Sequence, residues 1–371
     1  MRSLQLTPRQ RVEAALLGRP ADHVPFTMDF NEFFLCTTER ELRNHGMCIV
    51  EQRVPVFLEQ NPEISEQAVY YAGPDGMTRL RKVFRTPKGE ISAVYKVLPD
   101  HVRIPGELLP WHEEYLFKGP ANYAPIEALI RGRRYVPNYD VFQRAQYEAG
   151  DDVIFRTGLG YSPLMEIMYN IMGLEQFAVE WHERRDEVMR LYNALTDDRR
   201  KVYPLLVDAP TPMISYCGNI SPEVVGPARF EQYILPHLNE LGEMLHARGK
   251  LLVVHFDANT RLIAPAIARS AIDVIDSLTP WPDGDITVEE ARAFWPNKVL
   301  WLNFPSSLHH AEVHEIEEAT RQILRQAGQG ERLIVGISEN VPKTRWQISA
   351  PAIQRVLNEE GRLPLHFSSS S

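Results

Sequence analysis

The chain has 371 residues, of which 44% are hydrophobic and 24% charged, and its formal net charge is -9. That is ordinary globular composition, long enough for one large α/β domain or two smaller ones. The acidic balance argues against a nucleic-acid-binding face and against docking on anionic lipid, and no apolar run reaches membrane-spanning length.

The start, Met1-Arg2-Ser3-Leu4-Gln5, lacks the apolar core of a signal peptide. Cys36, Cys48 and Cys217 have no C-x-x-C spacing, which predicts a reduced, cytoplasmic protein without a thiolate metal cluster. Thr7-Pro8-Arg9-Gln10 reads as a capped helix start, with the helix running to Leu17 and stopping at Gly18. Val24 to Asp29 reads as a first strand leading to Asp29 and Asn31, and a helix is expected over 38–60. Ala68 to Ala72 reads as a second strand.

Residues 76–115 break this alternation. Two β-like runs flank the turn signal Pro87-Lys88-Gly89 and predict an inserted β-hairpin cap. The stretch from Pro105 to Pro137 has no clear period and reads as a long connection. Beyond it, strands are expected at Val153–Thr157, Pro212–Cys217, Leu251–His255, Ile272–Ile275, Val299–Leu302 and Leu333–Ile337, with helical stretches between them. Eight strands, nearly all followed by a helix, are the count of a (β/α)8 TIM barrel. A doubly wound sheet is the competing fold, but no Gly-rich dinucleotide turn follows any strand. The expectation is a single barrel domain over 1–367 with the insertion at about 76–115, and a disordered serine tail at 368–371.

Chemistry on a barrel of parallel strands is built at the C-terminal strand ends. The apolar run Leu251 to Val254 is followed by His255, Asp257 and Asn259, which share one side of an extended backbone. Other strand ends supply Tyr161 with Glu166, Tyr216 with Asn219, Asp276, Asn303, and Ser338-Glu339-Asn340. Asp276 reads as a helix N-cap. His255, Asp257 and Glu339 form a set of one imidazole and two carboxylates that suits zinc or a similar divalent ion. Tyr161, Met165, Tyr216, Trp281, Trp301 and Phe304 are candidates to wall an aromatic substrate pocket, with Asn219 and Asn303 orienting the substrate and Glu166 facing it. His309, His310 and His314 read as part of a solvated helix.

Several runs resemble the uroporphyrinogen decarboxylase superfamily: Arg9 to Leu16, Asp22-His23-Val24-Pro25, Ser221-Pro222-Glu223, Phe230 to Pro236, and His246 to Lys250. The resemblance extends from Leu6 to Leu357 and implies a (β/α)8 barrel. The arginine-rich signature of the decarboxylases is absent, its place taken by Phe26-Thr27-Met28-Asp29-Phe30-Asn31. A substrate with eight carboxylates would need those arginines.

The similarity is greater to the branch of zinc methyltransferases that work with corrinoid proteins. His255 matches the His of that branch's H-x-C motif, Asp257 stands at its first Cys, and Glu339 falls near its second. What this resemblance implies is a zinc-dependent methyltransferase moving methyl from a methyl ether to the cob(I)amide of a separate corrinoid protein. The chain has no D-x-H-x-x-G motif, so the corrinoid would arrive on that partner. The alternatives left open are transfer from a methylcorrinoid to a thiol or folate, a decarboxylase-like metal-free lyase, and a barrel that only binds.

Overall fold

Eight short runs pair side by side as parallel strands in the computed structural model, which describes residues 6–97, 110–257, 259–339, 341–342 and 344–366. They are β1 (Phe26–Asp29), β2 (Met47–Glu51), β3 in two pieces (Val153–Phe155 and Gly158–Leu159), β4 (Met213–Tyr216), β5 (Leu251–His255), β6 (Val274–Leu278), β7 (Val299–Asn303) and β8 (Leu333–Ile337). The first piece of β3 pairs with β2 and the second with β4. The remaining strands pair in the order β4-β5-β6-β7-β8-β1-β2. The sheet therefore curls until its two ends meet in one stretch of chain, with helices alternating along the sequence, as in a TIM-barrel-like fold. Among the described residues, no helix is long and apolar enough to cross a membrane.

The chain divides into two units, one of residues 1–55, 139–160 and 210–371, the other of 56–138 and 161–209. The first holds the barrel. Cys48, Val50, Ile154, Met213, Val253, Val274, Val299, Trp301 and Ile334 form one buried cluster, with at least one side chain from each of β2 to β8. Val12, Ala15 and Leu16 of helix Pro8–Leu17 join the same cluster, so that helix packs onto the barrel core. Its ends follow the sequence closely. Thr7 and Gln10 form a capping box, and Gly18 ends the helix at φ 61°.

The second unit contains a four-stranded antiparallel sheet of Ser65–Ala72, Thr78–Thr86, Gly89–Val97 and Pro110–Glu114. Thr78–Thr86 and Gly89–Val97 make the expected hairpin, with Gly89 at φ 130° in the turn. Helices Leu174–Glu183 and Arg185–Asp208 belong to this unit.

Three expectations are corrected here. The second barrel strand is Met47–Glu51, and Ser65–Ala72, which includes the expected strand, is an antiparallel strand instead. The helix expected over 38–60 ends at Asn44, where His45 and Gly46 (φ 107°) turn the chain before the fully buried run of β2. The stretch read as a long connection holds helix Tyr123–Arg131 and strand Arg134–Pro137. Asn340 and the serine tail lie outside the described residues.

His309 is not on the following helix but in the 3-10 turn Ser306–His310, at 1% exposure, with Nδ1 2.6 Å from Ser349 Oγ. Burial, with His310 and Arg345 adding to it against Asp283, pushes its pKa down to about 4. The folded chain then binds fewer protons than the unfolded one between about 4 and 6.5. Stability should fall as pH drops through that window, by on the order of 3 kcal/mol for this residue. Urea unfolding at pH 7 and pH 4.5 should show a smaller acid loss in His309→Gln than in the wild type. Equal losses would remove His309 as the cause.

Candidate metal centre

β5 is continuously apolar until His255, where the backbone leaves the sheet and the side chain emerges at the C-terminal end. Asp257 follows two residues on, and Glu339 follows the end of β8. Donor atoms of His255, Asp257 and Glu339 all lie within 4.8 Å of one another. His255 Nε2 is 3.1 Å from Glu339 Oε1 and 3.7 Å from Asp257 Oδ2. Asp257 Oδ1 is a buried atom without a hydrogen-bond partner, and Glu339 Oε1 is buried against His255 Nε2. A buried, unpartnered carboxylate oxygen beside a second carboxylate is costly unless a cation satisfies it. One nitrogen and two oxygens, with two negative charges, fit a divalent ion of the zinc class.

The neighbours hold this set in place. Asn303 at the end of β7 accepts hydrogen bonds from the Ser338 and Glu339 N–H groups at 3.1 and 3.3 Å, and donates to Thr279 Oγ1 at 3.2 Å. It thereby fixes the backbone that carries Glu339. The turn Cys217-Gly218-Asn219 has φ of 70° and 52° at its flanking residues, and a Cβ on Gly218 would lie 3.5 Å from His255 Cδ2. The turn backbone thus packs along the imidazole edge.

Behind the imidazole, Asp276 of β6 is the register partner of His255, and its Oδ2 lies 3.2 Å from Nδ1. Register between β6 and β7 shifts between Ile275 and Leu278, a bulge that includes Asp276 and Ser277, the latter at φ 56°. Arg156, in the interruption of β3, makes an ion pair with Asp276 and donates from Nη2 to Asp29 Oδ2 at 3.2 Å. Its guanidinium also stands 5.6 Å from the Trp301 ring centroid. Burial raises the Asp29 carboxyl to about 7 despite the opposing charge of Arg156, with Asp276 and Glu32 adding to the rise. For Asp276 burial acts in the same sense but is outweighed by Arg156 and His255, and its carboxyl is held below the ordinary range. Burial lowers His255, yet hydrogen bonds with Asp257, Asp276 and Glu339 prevail and hold it well above its usual value. The acids that favour a proton on this imidazole would equally favour a divalent ion beside Nε2, and the two compete for that nitrogen.

The other expected site residues are distributed as follows. Trp301 is 2% exposed within the barrel core, where its Nε1 donates to Thr27 Oγ1 at 3.0 Å. Tyr216 and Phe304 are fully buried, Asn219 is exposed, and Trp281 is 70% exposed on the loop after β6. Tyr161 and Glu166 belong to the second unit. There Tyr161 packs on Tyr169 with ring centroids 5.2 Å apart. Glu166 accepts from Asn170 at 3.0 Å and lines a cavity of ≈ 390 Å³ with Tyr95, His112 and Arg133. Arg156 was not singled out by the sequence, and Asp276 was named at its strand end but weighed against a helix N-cap. The available signal was a charged residue at the end of an otherwise apolar strand, Val153 to Phe155.

The family model described as uroporphyrinogen decarboxylase (URO-D) matches residues 102–345, more than half of the chain. Among solved structures, a methyltransferase from Methanosarcina mazei superposes with a TM-score of 0.57 at 13% identity, covering 96% of this chain and 99% of its own. At that identity the likeness concerns the fold. Two pneumococcal StrH structures align at TM-scores of 0.41 and 0.42 with 8% identity, covering 94% of this chain and 86% and 87% of theirs. That similarity is too low to carry an argument. No curated protein sequence matches.

Proposed function

The chain belongs to the uroporphyrinogen decarboxylase family, and from that premise we propose that it is a zinc-dependent methyltransferase. The methyl donor in this reading is a methyl ether, aromatic by class, and the acceptor is the cob(I)amide of a separate corrinoid protein. The observation that carries it is the meeting of His255, Asp257 and Glu339 donor atoms within 4.8 Å, with Asp257 Oδ1 left unpartnered. The Methanosarcina mazei structure, named a methyltransferase, lends support at the level of the fold.

A bound zinc ion would supply Lewis acidity toward an ether oxygen. His255, Asp257 and Glu339 would hold it, the two carboxylates balancing its charge. Carboxylates donate less electron density than thiolates, so this set suits oxygen activation better than thiol activation. In the transfer, the ether oxygen would keep the electron pair of the breaking methyl–oxygen bond, and the cob(I)amide acceptor would supply the pair for the new bond to carbon. The alkoxide or phenolate then takes a proton from solvent. Gly218 and its flanking turn pack along the imidazole and limit its rotation. The expected setting is the cytoplasm.

The test combines metal analysis with an assay. Purified chain should carry about one zinc ion and should demethylate a methoxyarene in the presence of reduced cobalamin, followed by the visible spectrum of methylcobalamin. Chelator should stop the reaction and zinc restore it. A chain without bound metal whose activity ignores chelator would overturn the reading in favour of a metal-free lyase.

A further inference from the structure

We propose that Asp276, clamped by Arg156, is the positioning group that fixes which nitrogen of His255 faces the metal. The inference rests on the metal-centre reading above and concerns residues that would not touch the ion. A neutral imidazole carries N–H on one nitrogen and a lone pair on the other. Asp276 Oδ2 sits 3.2 Å from Nδ1, so a proton on Nδ1 has an acceptor and the lone pair is left at Nε2. Nε2 is the nitrogen that faces Asp257 and Glu339.

Asp276 could serve this role only if it is itself held. It is 2% exposed and paired with Arg156, which is 5% exposed. The same guanidinium reaches Asp29 through Nη2 at 3.2 Å and stands over Trp301. Arg156 thus bridges β1 and β6 from β3, and it needs a planar fork to meet two carboxylates at once. A lysine ammonium is a point charge and cannot span both in that geometry. The pairing also gives Asp276 a permanent countercharge, so it stays behind the imidazole instead of turning toward the ion as a further ligand. The consequence is a division of labour among acids: Asp257 and Glu339 face the ion, while Asp276 and Asp29 are committed to Arg156.

The experiment uses the full chain with Zn2+ or Co2+ alone. Zinc affinity is measured by competition with a chromophoric chelator, and the geometry by the visible spectrum of the cobalt-substituted protein. Asp276→Asn keeps size, but its amide can donate to Nδ1 and so favour the tautomer with the proton on Nε2. Zinc affinity should fall by about 10- to 100-fold, the range for outer-shell partners of metal ligands, and the cobalt bands should shift. Circular dichroism of the metal-free chain establishes that the variant is folded. Should Asp276→Asn fail to fold, Arg156→Lys, which keeps the buried positive charge, should give a smaller loss and a shifted spectrum. Unchanged affinity and an unchanged cobalt spectrum in the folded variant would overturn the positioning role while leaving the centre itself intact. A wild-type chain that binds neither ion would overturn both.

Discussion

Alanine at Asp257 or at Glu339 is expected to release zinc and to abolish methyl transfer from the ether. Each substitution removes one of three donor groups that meet within 4.8 Å, and leaves the ion one negative charge short. The loss in metal affinity should exceed the roughly 10- to 100-fold that outer-shell changes produce. Cysteine at both positions should act differently. Thiolates are good zinc ligands, so occupancy should hold while the softer site becomes a poorer Lewis acid, and demethylation should fall. Metal content and turnover, measured on the same samples, separate the two effects. Undiminished demethylation in either alanine variant would sink the zinc mechanism.

The second large effect concerns stability. Arg156→Leu should destabilise the metal-free chain by about 3–5 kcal/mol, the cost of breaking a buried ion pair from one side. The substitution strands Asp276 and Asp29, both buried, without their shared cation. Adding Asp29→Asn should recover part of the loss, because a neutral amide needs no countercharge. Urea unfolding of the three chains would measure this. A single variant within about 1 kcal/mol of wild type would mean that water or rearrangement already compensates these acids.

Much of the barrel was legible because buried parallel strands are short, apolar and bounded. Leu333–Ile337 and the run ending at His255 have that form, and the structure places both as read. β2 escaped because Met47 to Val50 follows a helix so closely that the two read as one element. Only Gly46 marked the break. His255, Asp257 and Glu339 could be nominated from strand ends, since polar residues there have few other reasons to follow an apolar run. Arg156 could not, and Asp276, though named at its strand end, could not be told from a helix cap. Their partners lie on strands distant in sequence, and a charge at a strand end usually reaches solvent. Trp301 shows the reverse limit. An aromatic residue on a barrel strand can wall a pocket or fill the core, and alternation alone does not separate the two. The contact with Thr27, made possible by Gly336, whose added Cβ would come within 2.7 Å of Thr27 Oγ1, places it in the core.

The interruption of β3 matters for how the molecule breathes. Three residues join this seam to β2 and two join it to β4, whereas β7 and β8 share four register pairs. Local opening costs least where the fewest backbone hydrogen bonds must part together. The pairing of β3 with β4 is the shortest in the barrel among the described residues, and Ser215 N–H donating to Thr157 O at 2.9 Å lengthens it by one backbone bond. Arg156 lies at that interruption, where its N–H donates to Glu51 O of β2 at 2.8 Å while its guanidinium is tied to Asp29 of β1 and Asp276 of β6. One buried charge thus fastens the interrupted strand to β1 and β6 and, through Asp276, stands behind the imidazole.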